Sequence, residues 1–183
     1  MQENMKTTYL IIFILFLASC GTATRQNKSY MDIAYQKAQE GNYRLALKYY
    51  DKAIDAEPQN ADAYYHRGNI KYDLKDYEGA INDCGKALNI DPQLTDAYFN
   101  IGISKYHLEK YQEALTDFDK AITANDQDAE SYCWRGNTHH KLKNNTKACK
   151  DWNKAKDLGN SYVNEYLNKY CGEEGKTDTG GGE

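Results

Sequence analysis

The sequence predicts an all-α solenoid of four helix pairs closed by a capping helix, and three observations predict it. A stretch of 34 residues, Ala61 to Leu94, recurs with variations once before and twice after, giving units at 27–60, 61–94, 95–128 and 129–160. A fixed period of this length marks stacked supersecondary units. Small residues recur at the eighth, twentieth and twenty-seventh positions (Gly68, Ala80 and Ala87 in the second unit), where two antiparallel helices must approach closely. Aromatic residues recur at the fourth and seventeenth positions, Tyr64 and Tyr77, then Tyr98 and Tyr111, beside those gaps.

The chain opens with an address. Residues 1–19 carry Lys6 and then an apolar run from Tyr9 to Leu17. The run is shorter than the ~20 residues a spanning helix needs and fits the core of a signal peptide. Glu3 is unusual ahead of such a core, so Met5 offers an alternative start to Met1. Leu17-Ala18-Ser19-Cys20 resembles the lipobox of bacterial lipoproteins. That resemblance implies cleavage before Cys20 and its lipidation, with acyl chains worth ~0.8 kcal/mol per buried CH₂. Gly21, in place of the Asp that holds many such lipoproteins at the inner membrane, implies the outer membrane, facing the periplasm. Residues 20–26 are then the lipidated cysteine and a small, polar tether.

The four units follow. Each holds two helical segments of about 14 residues, separated near Glu40-Gly41-Asn42, Lys75-Asp76 and Glu109-Lys110 in the first three. Pro58 and Pro92 stand where the second helix of a unit must stop. The second unit reads Tyr64-x2-Arg67-Gly68, Ala80-x3-Cys84, Ala87, Pro92; the third Tyr98-x2-Ile101-Gly102, Ala114-x3-Phe118, Ala121. The fourth reads Tyr132-x2-Arg135-Gly136, Ala148-x3-Trp152, Ala155; the first Tyr30-x2-Ile33-Ala34, Ala46-x3-Tyr50, Ala53, Pro58. On these residues the chain resembles the tetratricopeptide-repeat (TPR) family across 27–160. The resemblance implies a right-handed superhelix. Asp126 stands where the third unit would have its proline, and Asn145 where the fourth would have its aromatic, so the fourth unit is expected to be the loosest. Gly85, inside a helix, costs ~1 kcal/mol relative to Ala.

Residues 161–171 follow a stop at Leu158-Gly159-Asn160 and space Tyr162, Tyr166 and Tyr170 four apart, with Val163 and Leu167 beside them. That is an amphipathic capping helix for the exposed end of the stack. The tail, 172–183, has no apolar residue and is expected to be disordered. Cys149 and Cys171 lie about equally far before and after the turn at Gly159-Asn160, facing each other across a helix hairpin. In an oxidising compartment they can form a disulfide; the alternative is two buried free thiols. Cys84 reads as a packed thiol, and Cys133 as a candidate for groove exposure.

Composition restricts function. A net charge of −4 and the lack of a Lys/Arg run argue against nucleic acid. The cysteines match no zinc spacing, and His66, His107, His139 and His140 do not converge at ligand spacing, so no metal is implied. No nucleophile–base set, phosphate loop or carboxylate pair stands out, which predicts a non-enzymatic chain without a cofactor.

The family resemblance implies that the first helix of each unit lines a concave groove. Carried onto this chain, the groove residues are Met31 and Tyr35; Tyr65, His66, Asn69 and Tyr72; Phe99, Asn100, Ile103 and Tyr106; and Cys133, Trp134, Asn137 and His140. Rings supply contact area and amides bind backbone groups, the mixture a peptide-binding surface uses. Tyr65 with Phe99, and Tyr72 with Tyr106, repeat as a ladder. Family members that hold chaperone C-termini use Lys at the fifth position beside Asn at the ninth; here the fifth is Met31, Tyr65, Phe99 or Cys133, so that partner is excluded. The expected function is a lipid-anchored adaptor that binds a protein or peptide in its groove. The alternatives are a structural subunit assembling through its convex face or ends, and, less favoured, a binder of cell-wall glycan.

Overall fold

The computed structural model describes residues 30–172, and the elements within that span are α-helices. They are α1 (30–39), α2 (Tyr43–Ala56), α3 (Ala61–Asp73), α4 (Tyr77–Ile90), α5 (Asp96–His107), α6 (Tyr111–Ala124), α7 (Ala129–Lys141), α8 (Asn145–Asp157) and α9 (Val163–Tyr170). The expected signal peptide and tether with Cys20, the first three residues of the opening unit and residues 173–183 lie outside the described residues. Among the described residues no helix is long and apolar enough to cross a membrane.

Each unit is a hairpin of an odd- and an even-numbered helix, and each hairpin packs on the next. α3 also meets α5, and α5 meets α7, which puts the odd-numbered helices on the inner side of the stack. Helix starts follow the local sequence: Asn42, Asn60, Asp76 and Asn144 each accept a hydrogen bond from a backbone N–H of the first turn. The turns within the last three units put Lys75, Glu109 and Lys143 at positive φ, a conformation glycine holds in the first (Gly41, φ 73°).

The eighth position explains the close approach within each hairpin. A Cβ on Gly102 would stand 2.7 Å from the Phe118 ring, and one on Gly136 2.6 Å from Trp152. Phe118 and Trp152 are fully buried, each the largest member of its unit's core. Gly85 faces open space, so no packing offsets its helix cost.

Two repeating electrostatic ties were not anticipated from the sequence. Every unit places a lysine of its second helix over the tyrosine at its fourth position: Lys52 over Tyr30, Lys86 over Tyr64, Lys120 over Tyr98 and Lys154 over Tyr132, at 5.0–5.8 Å. The second tie crosses units. Arg67 holds the buried Asp83 with two 2.7 Å bonds and reaches back to Asp51 of the preceding unit. Arg135 repeats the arrangement with Asp151 and Asp119. Between the second and third units the pattern lapses: Ile101 replaces the arginine, Gly85 the outer aspartate, and Lys105 takes Asp117 at 2.7 Å. That junction is closed instead by Ile101 packing with Cys84 and Ala97.

The cap differs from expectation. α9 is only eight residues, and its buried residues are Val163 and Leu167, with Tyr170 partly buried beside them. Tyr162 precedes the helix and is 85% exposed, because the chain leaves the Asn160 turn before helical geometry begins. Cys149 and Cys171 are joined as a disulfide tying the end of the cap to α8. Together with Arg135 and the buried Trp152, it supplies ties to the fourth unit that the expectation of looseness did not weigh.

Two outcomes are expected. Cys171→Ser opens a loop of sequence separation 22, which lowers stability by about 3 kcal/mol. Amide exchange should then accelerate in α9 and the adjoining part of α8 before it does in α3–α6. Burial pushes the Asp83 carboxyl up, but its bonds to Arg67 and Lys71 outweigh that and hold it below the usual carboxylate value. The stability it contributes is therefore full above about pH 4 and lost as pH falls through the depressed value. Asp83→Ala leaves Arg67 half-buried without its main partner and should cost about 3–5 kcal/mol in a urea melt.

Candidate protein-binding groove

The inner helices present two recesses in a row. The first, of about 360 Å³, is lined by Tyr65 of α3, Thr95, Asp96, Phe99 and Asn100 at the start of α5, Ala121, Asn125 and Asp128 beyond it, and Glu130 of α7. The second, of about 320 Å³, is lined by Glu130, Cys133, Trp134 and Asn137 of α7 with Asn160, Tyr162 and Tyr166 at the cap. Glu130 forms the wall between them.

Amides organise the floor. Asn100 donates its side-chain N–H to the Asn69 carbonyl oxygen at 2.6 Å. The Tyr65 phenol lies beside both amides; burial chiefly, with Asp96 adding, pushes its pKa up against the amides' opposing pull. One turn along the array the role changes, and Asn137 accepts from the Trp152 indole at 3.0 Å. Its carbonyl therefore anchors the core ring, and the same residue lines the second recess.

Several expected groove residues are placed elsewhere. Ile103 is buried, in a cluster with Ala114 and Phe118, because the ninth position of the third unit packs against α6 and under Trp134 of the next unit. Cys133 is buried at the base of the second recess, its thiol pushed up to about 11 by burial first and then by Glu130. The expected ladder is mainly a stack between units. Tyr72 packs against Tyr77 and donates to or accepts from His107 at 3.1 Å, while Tyr106 packs edge-on against Tyr111 and Trp134. Phe99 rests on Phe118, and Trp134 on the same cluster, leaving each half-buried. Met31 packs into the core of the first hairpin. His140 is covered by the cap, 4.3 Å from the Tyr170 ring and bonded to Asn145 at 2.9 Å. His66 sits among Tyr35, Tyr50 and Tyr65, with Tyr35 the exposed partner at 54%.

Tyr65, Asn69, Phe99 and Asn100 are thus brought together, as are Trp134 and Asn137. The walls come from residues not expected in the groove: Asp96, Asn125, Asp128 and Glu130, with Tyr162 and Tyr166, which the sequence places only in the cap. A signal for part of this wall existed, since Asp62, Asp96 and Glu130 recur as acids at the second position of successive units. Among the described residues no group of three or more His, Cys, Asp or Glu is gathered as metal ligands would be.

A stack of helix hairpins with an open, amide-floored inner face defines a helical-repeat solenoid. The chain belongs to the tetratricopeptide-repeat family: tetratricopeptide-repeat models match residues 31–94, 95–128 and 129–160, an unbroken run over most of its 183 residues. It is similar in fold to a crystal structure of MamA protein, at 24% identity and a TM-score of 0.74, covering 82% of each chain. MamA 41-end from Desulfovibrio magneticus RS-1 matches at 24% identity and 0.69, covering 73% of this chain and 75% of that one. The first TPR of Spaghetti (RPAP3), bound to the HSP90 peptide SRMEEVD, matches at 23% and 0.63, covering 64% and 94%. No curated protein sequence matches significantly.

Two half-buried histidines, His66 and His139, and the more exposed His107 give a solution test. Burial lowers His66, His107 and His139 below the ordinary value, against an opposing Asp62 at His66 and an opposing Asp151 at His139. Their rings should be neutral at pH 7 and titrate below about 6.5 in a histidine-resolved NMR series. Because the folded values are depressed, stability is full above the unfolded value and declines as pH falls through it toward the folded one.

Proposed function

We propose that the protein is a non-enzymatic adaptor that holds an extended segment of a partner protein across the two recesses. The observation that carries the reading is the pair Tyr65 and Asn100, which line a recess of about 360 Å³ walled by Phe99, with Asn69 holding the Asn100 amide from behind. Ring faces give contact area at low entropic cost, and amides can pair with the backbone of any sequence laid over them. The peptide complex of the first TPR of Spaghetti supports the mode of binding, not the partner: no lysine stands at the fifth positions here. We further propose that the array is held in the bacterial envelope by lipid on Cys20, on the outer membrane and facing the periplasm, on the strength of the lipobox-like Leu17–Cys20. That compartment is consistent with the disulfide.

Photo-crosslinking residues at Tyr65 or Asn100, compared with the exposed Thr123 of α6, separate adaptor from structural subunit. An adaptor crosslinks to a partner from the first two positions and not from Thr123; a subunit assembling by its convex face gives the reverse. Cys20→Ser should move the protein from the membrane to the soluble fraction, and retention there would overturn the anchor.

A further inference from the structure

We infer that the first recess is a pocket for a cationic side chain, arginine above lysine, carried by the segment lying in the groove. The inference rests on the groove reading above and adds the chemistry of the occupant.

The charges of the inner helices are divided unequally. Every cation in the middle of α3, α5 and α7 is already held by a carboxylate of the outer helices: Arg67 and Lys71 by Asp83, Lys105 by Asp117, Arg135 by Asp151. The acids of the same helices are not so held. Asp62, Asp96 and Glu130 make no ion pair among the described residues, and Asp96 and Glu130 both line the recess. A helix dipole accounts for an acid in a first turn. It does not account for two of them, from different units, bounding one cavity with the rings of Tyr65 and Phe99.

That combination suits a guanidinium. Its plane can lie on an aromatic ring while its N–H fork donates to a carboxylate, and its remaining donors can reach the amide oxygens of Asn100 or Asn125. An ammonium has no flat face to stack and offers a point charge only. An acidic segment would meet Asp96 and Glu130 with no cation to offset them. The neighbouring recess shares Glu130 and offers Trp134, Asn137 and Tyr166. Neighbouring helices lie ~8–10 Å apart and an extended chain advances ~3.3–3.6 Å per residue, so groups filling the two recesses are about three residues apart.

The test is selection of random twelve-residue peptides on the purified protein, followed by fluorescence anisotropy with individual peptides. The selected set should be rich in arginine, with a second arginine or an aromatic residue about three positions away. Asp96→Asn and Glu130→Gln should each weaken binding about tenfold, with a melting temperature close to that of the parent. Replacing the arginine by lysine should weaken it less than replacement by glutamine does. Selected peptides that are neutral or acidic, indifferent to Asp96→Asn and Glu130→Gln but lost with Tyr65→Ala and Asn100→Ala, would overturn this inference and leave the groove reading standing. Peptides indifferent to both sets of changes, or no selected peptide at all, would overturn both.

Discussion

The structure depends on the distance between the two helices of each hairpin. At Gly102 and Gly136 the first helix carries no Cβ, and the ring of Phe118 or Trp152 from the second helix occupies the vacated space. A hairpin closed this tightly buries its own ring and little else, so the rest of its apolar surface must be covered by a neighbour. The clusters reflect this: Ile103, Ala114 and Phe118 of one unit are completed by Tyr72 of the unit before and Trp134 of the unit after. Stability is therefore shared along the stack, and the last hairpin needs α9 and the Cys149–Cys171 bridge to complete its side.

The same geometry governs the charges. The seventh position faces the outer helices, so an arginine there is partly withdrawn from water and takes a buried carboxylate of its own unit and an exposed one of the unit before. Arg67 and Arg135 have both. Where Ile101 stands instead, the matching outer aspartate is absent and Gly85 fills its place. The inner face is what remains after these requirements are met. Its cations have been drawn outward, and its acids, rings and amides are left at the recesses, which is why the groove has an acidic wall although the chain's net charge is modest.

Much of the fold was legible in the sequence because its determinants are local and repeated. The period, the small eighth position and the prolines each act within one hairpin, and four near-copies make the pattern redundant. The candidate groove was legible only in part. Reading the fifth, sixth, ninth and twelfth positions as one inner face treats a helix as alone, yet in the stack the next unit covers part of that face. Ile103 became buried for that reason, Tyr72 and Tyr106 became contacts between units, Cys133 was buried against α8 and α9, and His140 was covered by the cap. The acidic wall was missed because a first-turn carboxylate looks the same in sequence whether it faces solvent or a cavity.

By itself the sequence determined the number of units, their phase and the identity of the small and large partners within each hairpin, since these follow from steric fit between residues a fixed distance apart. It also carried the arithmetic that brings Cys149 opposite Cys171. Only the tertiary structure decided which inner residues stay open, which carboxylates take the buried arginines, and how far the cap extends, because each depends on what the neighbouring unit covers. Tyr65 and Asn100 meet at one recess, and Asn69 bonds Asn100 beside it, through the stacking of α3 on α5. No spacing within a single unit specifies that meeting.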